Sequence, residues 1–112
     1  MKTKLLEKYN AVIVELKGNV MGGEDTKEFN ELLHKLIDEG KKNVIVDLSA
    51  VKFMNSSGLG MLISGLTTMK RENGRLILAH VTEKIESLLI ITKLITIFES
   101  FDTVDEAVKS FD

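Results

Sequence analysis

Two adjacent serines stand where a buried strand is predicted to give way to a helix, in the stretch NSSGLG at residues 55–60. A serine hydroxyl can act as a nucleophile, or it can accept a phosphate, which the N–H groups of a helix N-terminus favour. Asn and Ser are also among the preferred helix N-caps. Capping leaves Gly58 and Gly60 unexplained, because each costs roughly 1 kcal/mol relative to Ala in a helix. The glycines predict a close approach to the backbone, by a partner or by another part of the chain.

Nucleophilic catalysis at these serines would need further groups. The nucleophile elbow has the pattern G-x-S-x-G, but Met54 stands where its first glycine would precede Ser56. A serine hydrolase also needs a histidine base and an acid. The chain has only His34, within a predicted charged helix, and His80, after a predicted strand. We therefore expect no enzymatic activity.

Asp47 ends a predicted strand, as the phosphoacceptor aspartate does in two-component receiver domains. A receiver also needs an acidic cluster after its first strand to hold Mg²⁺, and a lysine on a late strand. Glu15 lies inside a predicted strand, the pair at residues 24–25 opens the first helix, and no lysine ends the predicted strand at residues 95–98. We expect Asp47 to accept backbone hydrogen bonds in the loop that follows it.

The composition indicates one domain, residues 1–112, with a net charge of -2 and interspersed signs. This balance gives no reason to expect a nucleic-acid partner. The absence of cysteine excludes disulfides and thiolate metal sites, and no motif predicts a cofactor. The longest apolar run, residues 88–98, is interrupted by Lys93 and too short to span a bilayer. Because the N-terminal segment also lacks a signal-peptide pattern, we expect a cytoplasmic protein without membrane insertion.

Hydrophobic periodicity predicts the element order β-β-α-β-α-β-α-β-α. The strands are expected over residues 4–8, 11–17, 43–48, 75–80 and around 95–98. The helices are expected to begin near Asp25 or Thr26, near Ser56, after Thr82 and after Thr103. Alternating strands and helices imply right-handed crossovers, so we predict an α/β fold with a mixed, largely parallel sheet, an N-terminal β-hairpin and about four helices.

Two segments could form a binding surface at the carboxyl ends of the strands, where α/β folds usually bind ligands. The second helix has a predicted core stripe of Leu59, Leu62, Ile63, Leu66 and Met69. Its flanks then carry Ser57, Gly58, Met61, Gly65 and Thr68, which either meet a partner or pack under a neighbouring helix. The loop VMGGED at residues 20–25 is a second contact or a plain turn.

The segments VIVELKGNV at residues 12–20 and NVIVDLSAVKFMNSSGLGMLI at residues 43–63 resemble the STAS domain family. Within it, the chain is most similar to stand-alone anti-sigma factor antagonists, over nearly its whole length. The resemblance implies a bacterial partner-switching module. The unphosphorylated antagonist binds an anti-sigma factor, itself a serine kinase of the histidine-kinase-like ATPase fold, and so releases a sigma factor. A metal-dependent phosphatase resets the module.

Carried over by position, the resemblance makes Ser56 the phosphoacceptor, with Ser57 as the alternative. The expected partner-binding residues are Met21, Gly22, Gly23, Asn55, Ser56, Ser57, Gly58, Met61 and Gly65. Asn55 departs from the family pattern, which more often has Asp before the acceptor. If the kinase reads that carboxylate, phosphorylation here is slow or absent. The rival interpretation is therefore a STAS binding module without phosphoregulation, such as the small subunit of a bacterial ABC lipid transporter.

Overall fold

The computed structural model describes residues 1–111 and contains a five-stranded sheet. Asp112, the last residue of the predicted domain, lies outside the described residues. The elements in chain order are β1 (Lys2–Lys8), β2 (Ala11–Val20), α1 (Glu24–Asp38), β3 (Asn43–Met54), α2 (Ser56–Arg71), β4 (Arg75–Ala79), α3 (Glu83–Ile91), β5 (Ser100–Phe101) and α4 (Val104–Lys109). The strands lie side by side in chain order, with β1 antiparallel to β2 and every later neighbour parallel. The predicted fold class and element order are confirmed.

The two faces of the sheet bury separate apolar clusters, because successive side chains of a strand point to opposite faces. One face packs against α1, α2 and α3 and includes Val14, Val46 and Leu78. The other face packs against α4 and includes Ile45 and Ile77. Burial on both sides explains why the central strands read as continuous apolar runs. The layered core also fixes the carboxyl ends of β2 and β3, from which the candidate site is built.

The strand β3 is twice the predicted length and continues to Met54 instead of ending at Leu48. β2 also extends, to Val20, and the added residues pair in parallel, with register shifts between Glu15 and Lys17 and between Gly18 and Asn19. Pairing between the two extensions satisfies their backbone N–H and C=O groups, so both segments continue as strands. The segment that the sequence analysis treated as a loop after Asp47 is therefore mostly strand.

Two other element predictions are wrong. Residues 95–98 form turns, and the last strand is the short β5 that follows them. Of the apolar residues there, Phe98 is buried in the core, whereas Ile95 and Ile97 are each 42% exposed. Helix α1 begins at Glu24 with Gly23 as its N-cap and no side-chain cap, so neither Asp25 nor Thr26 caps it. The predicted caps of α3 by Thr82 and of α4 by Thr103 are confirmed.

Strand β1 is an exposed sheet edge tied to the rest of the fold by ion pairs. Lys8 Nζ donates to a carboxylate oxygen of Asp105 at 2.9 Å, which raises the pKa of Lys8 and lowers the pKa of Asp105. Lys41 donates to Glu7, and this hydrogen bond raises the pKa of Lys41. These contacts join β1 to α4 and to the segment before β3. They are exposed ion pairs of the ordinary surface kind, each of which contributes little to stability.

Helix α2 packs closely beneath α1, and this corrects two of the expected partner-binding residues. A Cβ added to Gly65 would lie 2.6 Å from the Phe29 ring and 3.0 Å from a methyl group of Leu33. Met61 is 1% exposed, and Thr68 is also buried. Of the two alternatives for this flank, the structure therefore supports packing under a neighbouring helix. Met61 and Gly65 are not accessible to a partner.

Candidate functional site

The first turn of α2 is capped by Asn55, whose backbone is extended and whose Oδ1 accepts a hydrogen bond from the Gly58 N–H at 2.8 Å. Ser56 and Ser57 are the first two helical residues, and both are exposed. The cap therefore uses the asparagine and needs neither serine hydroxyl. The capping role predicted for this stretch is confirmed for Asn55, and the two hydroxyls remain available for other contacts.

Gly58 lets the start of α2 lie directly against the end of β2. A Cβ at this position would fall 2.1 Å from the backbone oxygen of Val20, far inside any real contact. The Asn55 N–H donates to the same oxygen at 3.3 Å. The close approach predicted from this glycine thus exists, and it comes from the chain itself. Gly58 is buried and offers no surface to a partner.

Gly60 has no comparable explanation in the fold. It is exposed, and apart from its chain neighbours and its own helix backbone no atom lies within 4 Å of a Cβ added there. It follows Ser56 by four residues, so the two share one face of the helix. The exposed face of the α2 start therefore carries a serine hydroxyl and an open stretch of backbone, side by side.

The loop between β2 and α1 lies beside Ser57, so the two segments predicted to form a binding surface are neighbours in the fold. Gly22 has φ +82°, and a Cβ added there would lie 2.6 Å from the Ser57 Cβ. Gly22 is consequently buried against α2, whereas Met21 and Gly23 are exposed. The Asp25 carboxylate accepts a hydrogen bond from the Met21 N–H at 3.3 Å and so holds the loop. The two predicted segments come together, although Gly22 contributes packing and no open surface.

A groove between the end of β3 and α3 adjoins this site and was missed from the sequence. It has a volume of about 230 Å³ and is lined by Val51, Lys52, Phe53, Met54, Thr82, Lys84, Ile85, Ser87, Leu88 and Ile91. The β3 extension that forms one wall was predicted to be a loop. The available signal was an aromatic residue, Phe53, in a segment otherwise assigned to a polar connection.

Comparison with known proteins gives these features a family context. A family model for the STAS domain matches residues 2–107. The chain belongs to the STAS domain family. An anti-sigma-B factor antagonist from Staphylococcus epidermidis is 34% identical to this STAS domain over 67 residues. That match covers 60% of this chain and 62% of the relative, so the chain spans less than two thirds of the relative's length.

Solved structures of an anti-sigma factor antagonist share the fold of this STAS domain. Unphosphorylated SpoIIAA matches with a TM-score of 0.72 at 17% identity, over 97% of this chain and 96% of SpoIIAA. The phosphorylated form, a Bacillus cell fate determinant, matches with a TM-score of 0.74 at 18% identity, over 99% of this chain and all of SpoIIAA (100%). The resemblance inferred from the sequence is confirmed for family and fold.

Other predictions at this edge of the STAS domain can be assessed from geometry. Asp47 is 8% exposed, and its Oδ1 accepts a hydrogen bond from the Ser49 N–H at 3.0 Å. The expected backbone role is confirmed, although Ser49 belongs to β3 and not to a loop.

Within residues 1–111 no group of three or more His, Asp or Glu side chains is arranged to hold a metal ion. No helix described in that range is long and apolar enough to cross a membrane.

Removal of the Asn55 cap should destabilise the STAS domain measurably. We expect Asn55→Ala to lower the free energy of unfolding by about 1 kcal/mol, because the Gly58 N–H loses its acceptor. Asn55→Asp is the matched control and should retain the wild-type value, since a carboxylate oxygen caps equally well. Urea unfolding followed by circular dichroism measures both variants. A wild-type midpoint for Asn55→Ala would show that this hydrogen bond contributes nothing net.

Proposed function

We propose that this STAS domain is an anti-sigma factor antagonist. In its unphosphorylated form it binds an anti-sigma factor and so releases a sigma factor. The relative from Staphylococcus epidermidis carries that functional name, as does SpoIIAA, which has the same fold. The protein acts by binding and not by catalysis, and it needs no cofactor. A cytoplasmic location is part of the proposal, because sigma factors act in transcription.

The observation that carries the proposal is the exposed, capped start of α2. Ser56 projects from a helix turn whose position is fixed by the Asn55 cap and by the contact of Gly58 with β2. Met21 and Gly23, on the loop that contacts Ser57, and Gly60, one turn further along the helix, are also exposed. The small exposed residues Ser56, Gly23 and Gly60 favour close approach by a partner, since little side-chain entropy is lost at them on binding.

Phosphorylation of Ser56 is the proposed off switch, and Ser57 is the less favoured acceptor. Both serines are exposed, and Ser56 is preferred because it is the acceptor position that the family resemblance implies, whereas the Ser57 Cβ lies against Gly22. A phosphate adds about 1.5 to 2 negative charges to a surface that must be desolvated on binding. In the proposed cycle the anti-sigma factor is itself the serine kinase, and a serine phosphatase restores the binding form.

Asn55 defines the alternative function. It caps α2 but carries no charge, so a kinase that recognises a carboxylate before the acceptor would find none at this position. Binding does not require that charge. A STAS binding module without phosphoregulation, such as the small subunit of an ABC lipid transporter, is therefore the second candidate.

Phosphate transfer separates the two candidates. We expect incubation with ATP and the kinase-type anti-sigma factors of the source organism, each purified and tested in turn, to add one phosphate to the chain. Ser56→Ala should abolish the addition, and Ser57→Ala should retain most of it, because Ser56 is the proposed acceptor. Intact-mass spectrometry measures the product.

Three other results would redirect the proposal. A phosphate added to Ser56→Ala but not to Ser57→Ala would move the switch to Ser57. Tight binding of an anti-sigma factor with no phosphate on any variant, including Asn55→Asp, would favour a module without phosphoregulation. A phosphate on Asn55→Asp alone would show that the missing carboxylate limits the reaction.

A further inference from the structure

The groove between the end of β3 and α3 exposes large apolar side chains that the fold itself does not cover. Phe53 on one wall is 49% exposed, and Ile91 on the other is 78% exposed. The floor is formed by the buried side chains of Val51, Met54 and Ile85. Large apolar groups that line a concave surface mark interaction sites more often than single exposed residues do.

The groove is continuous with the proposed binding surface. Met54 is the last residue of β3 and lines the groove, and Ser56 follows it by two residues. Consecutive Cα atoms are 3.8 Å apart, so the Ser56 Cα lies within about 7.6 Å of the Met54 Cα. A partner protein seated on the start of α2 therefore reaches the mouth of the groove.

The charge of the groove indicates the chemistry of its occupant. Lys52 and Lys84 are exposed and line it, and no carboxylate does, although the whole chain has a net charge of -2. Neither lysine forms an ion pair within residues 1–111. Two unpaired cations beside an apolar groove are complementary to an apolar group flanked by carboxylates.

The size of the groove favours a side chain of a protein over a free ligand. Its volume of about 230 Å³ lies below the roughly 300–1,000 Å³ usual for small-molecule pockets. A single apolar side chain inserted into a groove of this kind is a common anchor of a protein interface.

We propose that this groove is the second half of the partner-binding surface. It receives an apolar anchor residue from an acidic amphipathic segment of the anti-sigma factor, whose carboxylates face Lys52 and Lys84. This inference rests on the proposed function and adds a contact that Ser56 does not make. Phosphorylation at Ser56 then acts at the edge of an interface whose anchor lies in the groove.

Two neighbouring isoleucines provide a matched test. Ile91 lines the groove, whereas Ile90 does not line it and is 54% exposed. Binding is measured by isothermal titration calorimetry with the anti-sigma factor found to bind the wild-type chain. Ile91→Glu should weaken binding at least about tenfold, because it places a charge at the anchor and repels the acidic segment. Ile90→Glu should change the affinity less than about twofold, since it adds the same charge outside the contact.

Charge reversal at Lys84 is a second variant and keeps the test independent of any folding defect in Ile91→Glu. Lys84→Glu should weaken binding, and the wild-type affinity should fall with rising salt more steeply than that of the variant. Lys70→Glu, on the exposed side of α2, is the control and should behave like the wild type.

The outcomes separate the groove from the proposed function. Wild-type affinity in both Ile91→Glu and Lys84→Glu would overturn the groove proposal and leave the anti-sigma factor antagonist intact. If no anti-sigma factor binds the wild-type chain, both proposals fail. Sodium decanoate binding that is lost in Ile91→Glu, with unchanged affinity for the anti-sigma factor, would assign the groove to a small amphiphile and contradict the proposal.

Discussion

Gly58→Ala is expected to lower the free energy of unfolding by about 3 kcal/mol or more. The added methyl group would lie 2.1 Å from the Val20 oxygen and 3.1 Å from the Cγ of Met54. The first obstacle is backbone, which cannot rotate away as a side chain can. Relief therefore requires the start of α2 to move off β2, and the hydrogen bond from Asn55 N–H to Val20 would be lost with it.

Gly60→Ala is the matched control, two residues further along the same helix. No atom beyond the neighbouring residues and the backbone of the same helix lies within 4 Å of the added methyl group, so the variant should gain up to about 1 kcal/mol from the higher helix propensity of Ala. Urea unfolding of both variants and the wild type measures the difference. Equal destabilisation by the two substitutions would contradict the close contact between α2 and β2, because helix propensity alone predicts the same effect of Gly→Ala at both positions.

The element order could be predicted because it rests on local periodicity. The helical spacing of Phe29, Leu33 and Leu36 and the β-branched run at residues 43–48 are each contained in one segment. The extension of β3 to Met54 could not be predicted in this way, since it depends on pairing with the distant end of β2. Residues 95–98 were misread for a related reason. Their β-branched and aromatic residues resemble a short strand, but the segment forms turns in which Phe98 is buried and Ile95 and Ile97 are exposed.

The site was only partly predictable from the sequence. Asn55, Ser56 and Ser57 lie where the strand-to-helix transition predicted them. The spacing of Met61 and Gly65 placed them beside the core stripe of α2. It could not distinguish contact with a partner protein from packing under a neighbouring helix, since that depends on where α1 packs. The groove was missed because its walls are far apart in sequence and meet only in the folded chain.

Ser56→Asp is expected to weaken binding of the anti-sigma factor by about a thousandfold. The substitution places a charge on the exposed face of α2, within the proposed interface. An unpaired charge that must be desolvated costs several kcal/mol, and about 4 kcal/mol corresponds to this factor. Ser56→Ala removes only a hydroxyl and should leave the affinity within a few-fold of the wild type.

Thr67→Asp is the charge-matched control for that variant. Thr67 is exposed on the same helix, eleven positions from Ser56 and hence about 16 Å along its axis. The Thr67→Asp substitution adds one negative charge to α2 outside the proposed surface, so its effect on affinity should be small. Comparable weakening by both variants would indicate long-range repulsion from the whole chain and not exclusion of a charge from the contact.

The central claim is that the charge state of Ser56 switches partner binding, and one titration tests it directly. Calorimetry with a single anti-sigma factor compares the unphosphorylated chain with the same chain phosphorylated at Ser56, under conditions that exclude turnover by omission of ATP. We predict tight binding of the unphosphorylated chain and an affinity lower by about a thousandfold after phosphorylation. Equal affinities of the two forms would contradict the account.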